Sequence, residues 1–268
     1  MTINPRVESI LKAQSIGVSI KSIHNFEIAN LNDVDLKDVD FPENLRLGKQ
    51  IEKIVSALIS ASSNYDIVEE NVQVIDGKIT IGELDFIIKH KDSDTIFHLE
   101  LVYKFYLYDP QHSVVEMEKW IGPNRKDCFI EKYSKLENKQ FPLLFRDETK
   151  PYLTNLNVND LSQKLCFMAS LFVPHHLLGQ KFELVNQNSI IGYWLTMNDF
   201  NVNGTENAMF YLPNKHEWGI NPKYNDNWKS MPAILTEIQD AHSRQFSPLC
   251  WIKKQNGSYE QCFIVWWN

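Results

Sequence analysis

The sequence lacks the features that mark several common classes of protein. Its four cysteines stand far apart in the chain and form no Cys-x-x-Cys pair, which argues against a zinc ribbon or a thioredoxin-type motif. They are Cys128, Cys166, Cys250 and Cys262. No serine or cysteine occupies a Gly-x-Ser-x-Gly elbow, so hydrolases that depend on that nucleophile are disfavoured.

Long apolar runs and an excess of basic charge are also missing. The first residues, MTINPRVESILKAQ, do not contain the apolar stretch of a signal peptide, and the most apolar run, Leu165–Val173, is too short to span a bilayer. The net charge of −7 disfavours a polycationic DNA coat, although an enzyme acting on nucleic acid needs only a local basic surface. We therefore expect a cytoplasmic protein with reduced cysteines and no membrane partner.

What the sequence does contain is enough apolar residues for a full core. With 268 residues, of which 43% are hydrophobic, the chain is long enough to form one large domain or two small ones. Apolar residues recur at helical spacing in Leu45–Ser60, and further helices are predicted at Val7–Ala13, Arg125–Gln140 and near Pro232–Arg244. The continuous apolar run Lys164–Val173 is typical of a strand buried on both faces.

The C-terminal third has a different pattern, in which short aromatic segments alternate with turns that contain Asn and Gly. These segments predict strands and hairpins. They are FELV, GYWL, AMFYLP, CWIKK and CFIVWW. Asn256-Gly257 between the last two is a strong hairpin signal. The chain therefore divides into a helical or irregular segment at 1–40, a core at 41–180 and a β-rich aromatic extension at 181–268.

The most informative stretch, Ile79–Phe105, predicts two strands joined by the polar loop Lys91–Asp94. Apolar and polar residues alternate in both strands, so each strand has one buried face. If the hairpin is centred between Asp92 and Ser93, the numbers of cross-strand neighbours sum to 185. Asp85 then lies opposite Glu100.

This register predicts a polar and an apolar face. Asp85, Glu83, Glu100 and Lys104 share one face, and the apolar side chains fill the other: Leu84, Phe86, Leu99, Leu101 and Tyr103. Two facing carboxylates repel each other, and either the Lys104 ammonium or a divalent cation offsets that repulsion. The alternative is an ordinary solvated sheet face that carries a charge pair.

The order of these elements resembles the PD-(D/E)XK nuclease superfamily. The residues that carry the resemblance are Glu52 on the first helix, Asp85 in GELDF, and Glu100 with Lys104 in ELVYK. The superfamily places its lysine two residues after the glutamate, where this chain has Val102, and the lysine follows four residues after. A step of four keeps the same strand face and places the lysine about 7 Å further along the strand than position 102.

The flanking sequence is similar to a bacterial family known only as domain of unknown function 1853. The similarity runs from about Leu47 to Leu144, and a second, weaker similarity is found in the segment YLPNKHEWGINP. The matching stretches are LGKQIE, NVQV, GELDF, HLELVYKFYL, WIGPN and the following Asp127 and Lys132.

These resemblances imply an α/β (α+β) fold with a mixed central sheet flanked by helices and a restriction-endonuclease-like core at 41–180. They imply a nuclease that hydrolyses phosphodiester bonds of DNA or RNA with Mg²⁺ or Mn²⁺. The implied site comprises Asp85, Glu100 and Glu52 as metal ligands, Lys104 to orient or help deprotonate the attacking water, and Lys132 and Asn124 for substrate binding.

Other functions remain open at this point. A nuclease-like module that has lost catalysis would still bind nucleic acid or a partner protein. A scaffold protein would use its aromatic C-terminal region, and exposure of Trp266 and Trp267 would favour it. His175-His176 follow an apolar strand as possible metal ligands, but two adjacent histidines are ordinarily structural or on the surface. The lysines Lys132, Lys135 and Lys139 ordinarily form a solvated helix face.

Overall fold

The computed structural model describes residues 4–31, 34, 45–202 and 207–267. The fold is mixed α/β, with a mixed central sheet flanked by helices, as the sequence predicts. The α-helices are α1 (Pro5–Leu11), α2 (Leu47–Ala61), α3 (Phe129–Lys135), α4 (Phe141–Leu143), α5 (Met197–Val202) and α6 (Met231–Ser243). The strands are β1 (His24–Asn25), β2 (Tyr65–Asp76), β3 (Ile79–His90), β4 (Ile96–Tyr108), β5 (Trp120–Ile121), β6 (Ser162–Pro174), β7 (Ile190–Thr196), β8 (Met209–Tyr211), β9 (Leu249–Lys253) and β10 (Tyr259–Val265).

Short helical turns fill several of the connections. The 3₁₀ turns are Ile28–Leu31, Glu116–Lys119, Asp147–Tyr152, Val158–Asp160, His175–Leu177, Gln187–Ser189, Lys215–Glu217 and Pro222–Tyr224, and Leu136–Gln140 is a π-helical turn. Among the described residues, no helix has both the length and the apolar character needed to cross a membrane.

The chain forms two compact units, each assembled from separate stretches of sequence. Unit 1 contains Met1–Lys104 and Glu131–Met168, and unit 2 contains Phe105–Ile130 and Ala169–Asn268. Strands β4 and β6 therefore each begin in unit 1 and end in unit 2. The predicted boundaries after residues 40 and 180 stay predictions, and the first of them lies outside the described residues.

In unit 1 the strand order is β2-β3-β4-β6, with β1 parallel to β6. Strands β2, β3 and β4 are antiparallel neighbours. The β3–β4 register pairs Phe86 with Leu99 and Ile87 with His98, which confirms the predicted sum of 185. The turn after β2 uses Gly77 at φ 60°, a left-handed conformation that glycine adopts without steric cost.

The predicted apolar face of the hairpin is wrong at Leu84. Phe86 belongs to the core cluster that includes the apolar stripe of α2, but Leu84 belongs to a different cluster with Leu143. Val72 and Leu84 pair in the β2–β3 ladder, and neighbouring Asn71 has a left-handed φ of 54°. A left-handed residue interrupts the pleat of β2 between the position that pairs with Phe86 and the position that pairs with Leu84, so the change of cluster coincides with this interruption.

The second predicted helix, Arg125–Gln140, begins later than expected. Residues 122–127 form a tight turn in which the N–H of Gly122 donates to the carbonyl of Asp127, and Arg125 has φ 55°. The helix starts at Phe129 and changes to the π-helical turn after Lys135. Pro142 follows within the next helical turn, and proline cannot supply the N–H that a regular α-helix requires there.

In unit 2 the strand order is β6-β7-β10-β9-β8. Strands β6, β7 and β10 run parallel, whereas β9 is antiparallel to both β10 and β8. The predicted hairpin at Asn256-Gly257 joins β9 to β10, with Gly257 at φ 80°. The FELV segment (182–185) is not a strand, because it lies in a turn region, where Phe182 packs its ring against Trp120.

Trp267 is buried in unit 2, at 6% exposure. Its Nε1 donates to the carbonyl of Pro123, and its ring lies 5.2 Å from the ring of Trp194. Trp266 is half-buried. The exposed tryptophan pair that would favour a scaffold function is therefore not present.

Replacing Gly192 in β7 with alanine is expected to destabilise the protein by about 1–3 kcal/mol. A Cβ at Gly192 would lie 2.4 Å from the carbonyl oxygen of Gln261 and 2.7 Å from the ring of Phe172. Thermal or urea unfolding measures the loss. Gly48→Ala in α2 is the control, because that Cβ meets nothing within 4 Å and alanine favours a helix by up to about 1 kcal/mol. Unchanged stability of Gly192→Ala would contradict this packing.

Candidate functional site

Asp85 of β3 lies where the hydrogen-bonded ladder to β4 ends. The last described pair is Phe86–Leu99, and Oδ2 of Asp85 accepts the backbone N–H of Leu101 at 2.8 Å. Burial, together with the nearby Glu100 carboxylate, raises the pKa of Asp85 to about 8. The hydrogen bond from Leu101 opposes that rise but does not overcome it.

Glu100 of β4 is fully buried, and both of its carboxylate oxygens are hydrogen-bonded. Nε2 of His98 lies 3.0 Å from Oε1, and Nε2 of Gln140 donates to Oε2 at 2.5 Å. Burial raises the pKa of Glu100 to about 8, although the Lys132 and Lys135 ammonium groups oppose the rise. A buried carboxylate without an adjacent full counter-charge is costly, so this pair favours protons or a bound cation.

Gln163 of β6 fixes the protonation state of His98. Its amide nitrogen donates to the carbonyl of Phe141 at 2.8 Å, which orients the amide, and the same nitrogen lies 3.1 Å from Nδ1 of His98. Nδ1 must therefore accept, so the ring proton is on Nε2 and is donated to Glu100. Burial lowers the pKa of His98 to about 4, which keeps this imidazole neutral.

We expect His98 to stay neutral, with its proton on Nε2, from pH 5 to pH 9. Long-range ¹⁵N–¹H NMR of the ring, assigned by comparison with His98→Gln, measures both properties. Because the folded-state pKa is below the unfolded value of 6.5, His98 lowers the free energy of unfolding as the pH falls from about 6.5 towards 4. Titration of the His98 ring near pH 6.5 would contradict the hydrogen bonds proposed between Gln163, His98 and Glu100.

The third acid, Glu52, is paired with a lysine of its own helix. In α2, Nζ of Lys49 lies 2.5 Å from Oε2 of Glu52 and 3.0 Å from Oε1 of Glu83 on β3. The negative charge of Glu52 still contributes to the raised pKa of Asp85 and of Glu100. The structure thus brings Glu52 near the carboxylate pair, with Lys49 as its direct partner.

Two lysines lie at this site. Nζ of Lys132 in α3 donates to Oε1 of Gln140 at 2.7 Å. Burial lowers the pKa of Lys132, while the Glu100 and Asp85 carboxylates raise it. Lys104 of β4 is half-buried, and its charge also lowers the pKa of Lys132, so the two ammonium groups are within electrostatic range of each other.

Asn124 belongs to unit 2, where its Oδ1 accepts the N–H of Ser247 at 2.8 Å and so joins two loops. Its predicted contact with substrate stays a prediction. His175 and His176 are exposed and line a cavity of about 280 Å³ in unit 2, beyond the ends of β6 and β7. The His175 ring lies 4.6 Å from the Tyr193 ring, so one face of it is already packed.

The donor set of the carboxylate pair fits a divalent cation. Mg²⁺ in proteins is commonly held by one or two carboxylates, with water completing its coordination. Asp85 and Glu100 supply hard oxygen donors whose pKa values are raised chiefly by burial. In the part of the chain that the structure describes, no three His, Cys, Asp or Glu side chains are grouped to hold a metal, so the fit rests on these two.

The hydrogen-bonded network around Glu100 includes His98, Gln140 and Gln163, which the sequence did not single out as functional. His98 is two residues before Glu100 on the same strand face, and that spacing was a usable signal. Gln140 and Gln163 come from distant elements, and nothing in their local sequence distinguishes them from other polar residues.

Comparison with curated proteins and with solved structures found no match. The model of one family, described as a domain of unknown function (DUF1853), matches residues 22–265, which include most of both compact units and also Asp85, His98, Glu100, Gln140 and Gln163. The chain therefore belongs to the family of domain of unknown function 1853.

Proposed function

We propose that this protein is a metal-dependent nuclease with a restriction-endonuclease-like core, related to the PD-(D/E)XK superfamily. The observation that carries the proposal is the carboxylate pair next to the Phe86–Leu99 pair of the hairpin. Glu100 is buried, Asp85 is partly buried, and both pKa values are raised to about 8. Strongly perturbed carboxylates beside a lysine are typical of sites that bind cations and carry out chemistry.

In this proposal Asp85 and Glu100 hold the Mg²⁺ or Mn²⁺ ion, and Glu52 adds negative charge next to them. When bound, the ion neutralises charge on the phosphate and makes a nearby water more acidic. His98 and Gln140 keep the Glu100 carboxylate in one orientation, because each holds one of its oxygens. A lysine, either Lys104 or Lys132, stabilises the negative charge that grows on the phosphate during the reaction.

A second candidate is a nuclease-like module that binds nucleic acid or a partner protein without cutting. The specific observation in its favour is that both oxygens of Glu100 already accept hydrogen bonds from protein side chains. A network in which both carboxylate oxygens accept hydrogen bonds from the protein would also stabilise a glutamate that has only a structural role.

The test is to incubate the purified protein with labelled single- and double-stranded DNA and RNA, with Mg²⁺, with Mn²⁺ or with EDTA. The nuclease proposal expects cleavage of at least one substrate with the metal ion and none with EDTA. Binding without cleavage at every metal concentration would favour the module that binds nucleic acid without cutting it. The absence of both binding and cleavage would contradict the nuclease and a module that binds nucleic acid.

A further inference from the structure

The helix that carries Lys132 contains a π-helical turn next to the carboxylate pair. Helix α3, the turn Leu136–Gln140 and helix α4 follow one another without a gap, and the N–H of Phe141 donates to the carbonyl of Leu136, five residues back. Turns of this kind are rare and recur at functional sites, because they rotate the residues that follow them.

The rotation brings Lys132 and Gln140 to the same face of the helix. In a regular α-helix two residues eight positions apart are separated by about 80° around the axis. One additional residue in a π-turn makes the spacing equivalent to seven α-helical positions, which is about 20° from alignment. The π-turn therefore directs both side chains towards the same neighbours.

Gln140 joins the lysine to the glutamate. Its amide nitrogen donates to Oε2 of Glu100 at 2.5 Å, and its amide oxygen accepts from Nζ of Lys132 at 2.7 Å. The ammonium fixes the orientation of the amide, because an ammonium can only donate; the amide oxygen therefore faces Lys132 and the amide nitrogen faces Glu100. One side chain thus sets the position of the Lys132 ammonium relative to the buried acid.

Lys104 starts from a less favourable position. It lies four residues beyond Glu100 on β4, so its Cα is about 13 Å along the strand from that of Glu100. Lys132 is the cation with the largest effect on Glu100 and also acts on Asp85, which places its charge close to both acids. A rigidly held ammonium stabilises developing charge without reorganisation, and Gln140 holds the ammonium of Lys132 in this way.

We propose that Lys132, held by Gln140 through the π-turn, is the lysine that contacts the phosphate undergoing hydrolysis, and that Gln140 is its positioning residue. This inference rests on the proposed function and assigns a residue within it. The ammonium donates hydrogen bonds to non-bridging phosphate oxygens and keeps its protons throughout. Lys104 then has an accessory role on the same strand.

The experiment compares Lys132→Met with Lys104→Met, adds Gln140→Leu, and uses Lys139→Met as the control on an exposed position of the same π-turn. We expect kcat to fall by more than about 100-fold in Lys132→Met and by less than about 10-fold in Lys104→Met. Gln140→Leu should lower kcat by about 10- to 100-fold with KM little changed, because the lysine is present but no longer held. Lys139→Met should match the wild type.

Lys132→Arg separates loss of charge from loss of folding, because it keeps a cation that Gln140 can accept from. It should retain more turnover than Lys132→Met, while circular dichroism and thermal unfolding show that both variants fold. A larger loss in Lys104→Met than in Lys132→Met, or a wild-type kcat in Gln140→Leu, would overturn the inference.

A second measurement keeps this inference distinct from the proposed function. Calorimetry with inorganic phosphate in the presence of Mg²⁺ requires no cleavage. If the wild type cuts no nucleic acid, the nuclease proposal fails, yet phosphate binding that weakens more than 10-fold in Lys132→Met still supports Lys132 as the phosphate contact. Wild-type protein that binds no phosphate, or Lys132→Met that binds it equally well, overturns the assignment.

Discussion

Glu100→Gln should abolish metal-dependent cleavage. Glutamine keeps the shape of the side chain but has no charge and only one acceptor oxygen, so it is a far weaker ligand for a hard cation. Changes to residues that merely support a metal ligand cost about 10- to 100-fold, and loss of the ligand itself should lower kcat/KM by more than about 100-fold. The measurement is the initial rate of cleavage of the best substrate with Mg²⁺ and with Mn²⁺.

Glu100→Gln should also affect the stability of the protein, because Glu100 is part of a hydrogen-bond network. His98 and Gln140 both donate to Glu100, and the amide nitrogen of a new glutamine would face one of these donors. The melting temperature must therefore be measured for the same preparation. Asp92→Asn in the exposed hairpin loop removes the same charge far from the network and should leave cleavage unchanged. Cleavage that persists in Glu100→Gln would assign the activity to another site or a contaminant.

The hairpin shows how much of this site could be predicted from sequence. The register followed from centring the hairpin in the polar loop, and the two-residue period excludes pairings that are shifted by one residue, because such a shift exchanges the two faces. That register placed Asp85 and Glu100 directly after the Phe86–Leu99 pair, and the Glu100 carboxylate does act on the pKa of Asp85. The prediction failed at Leu84, where Asn71 on the neighbouring strand adopts a left-handed conformation that no pattern of apolar residues reveals.

The partners of Glu100 show where sequence periodicity stops being informative. Under regular helical spacing Lys132 shares a face with Lys135 and Lys139, which predicts a solvated stripe. The π-turn changes that spacing within the same helix, and Pro142 was its only sequence signal, since proline disrupts the α-helical hydrogen bond at this point. Gln163 reaches His98 from β6, 65 residues along the chain, and only the folded structure gives that contact.

The raised pKa values of the two acids also determine how stability should depend on pH. Unfolded carboxyl groups release their protons near pH 4, whereas Asp85 and Glu100 in the folded protein hold theirs until about pH 8. Between these limits the folded state binds more protons than the unfolded state, so this pair lowers the free energy of unfolding as the pH rises. Above about pH 8 both states are ionised and the contribution of the pair stops changing.

Mg²⁺ should therefore stabilise the protein more at pH 9 than at pH 6, and Asp85→Asn should remove this stabilisation. The ion and the protons compete for the same oxygens, so binding at pH 7 should release protons, which calorimetry in two buffers of different ionisation enthalpy counts. At a concentration 100 times the Kd, bound Mg²⁺ adds about 2.7 kcal/mol, or roughly 5–10 °C in melting temperature for a chain of this size. Asparagine can still accept the Leu101 N–H through its amide oxygen, so the fold around position 85 should survive. Equal stabilisation of the variant by Mg²⁺, or a stabilisation that shrinks as the pH rises, would show that the ion binds elsewhere.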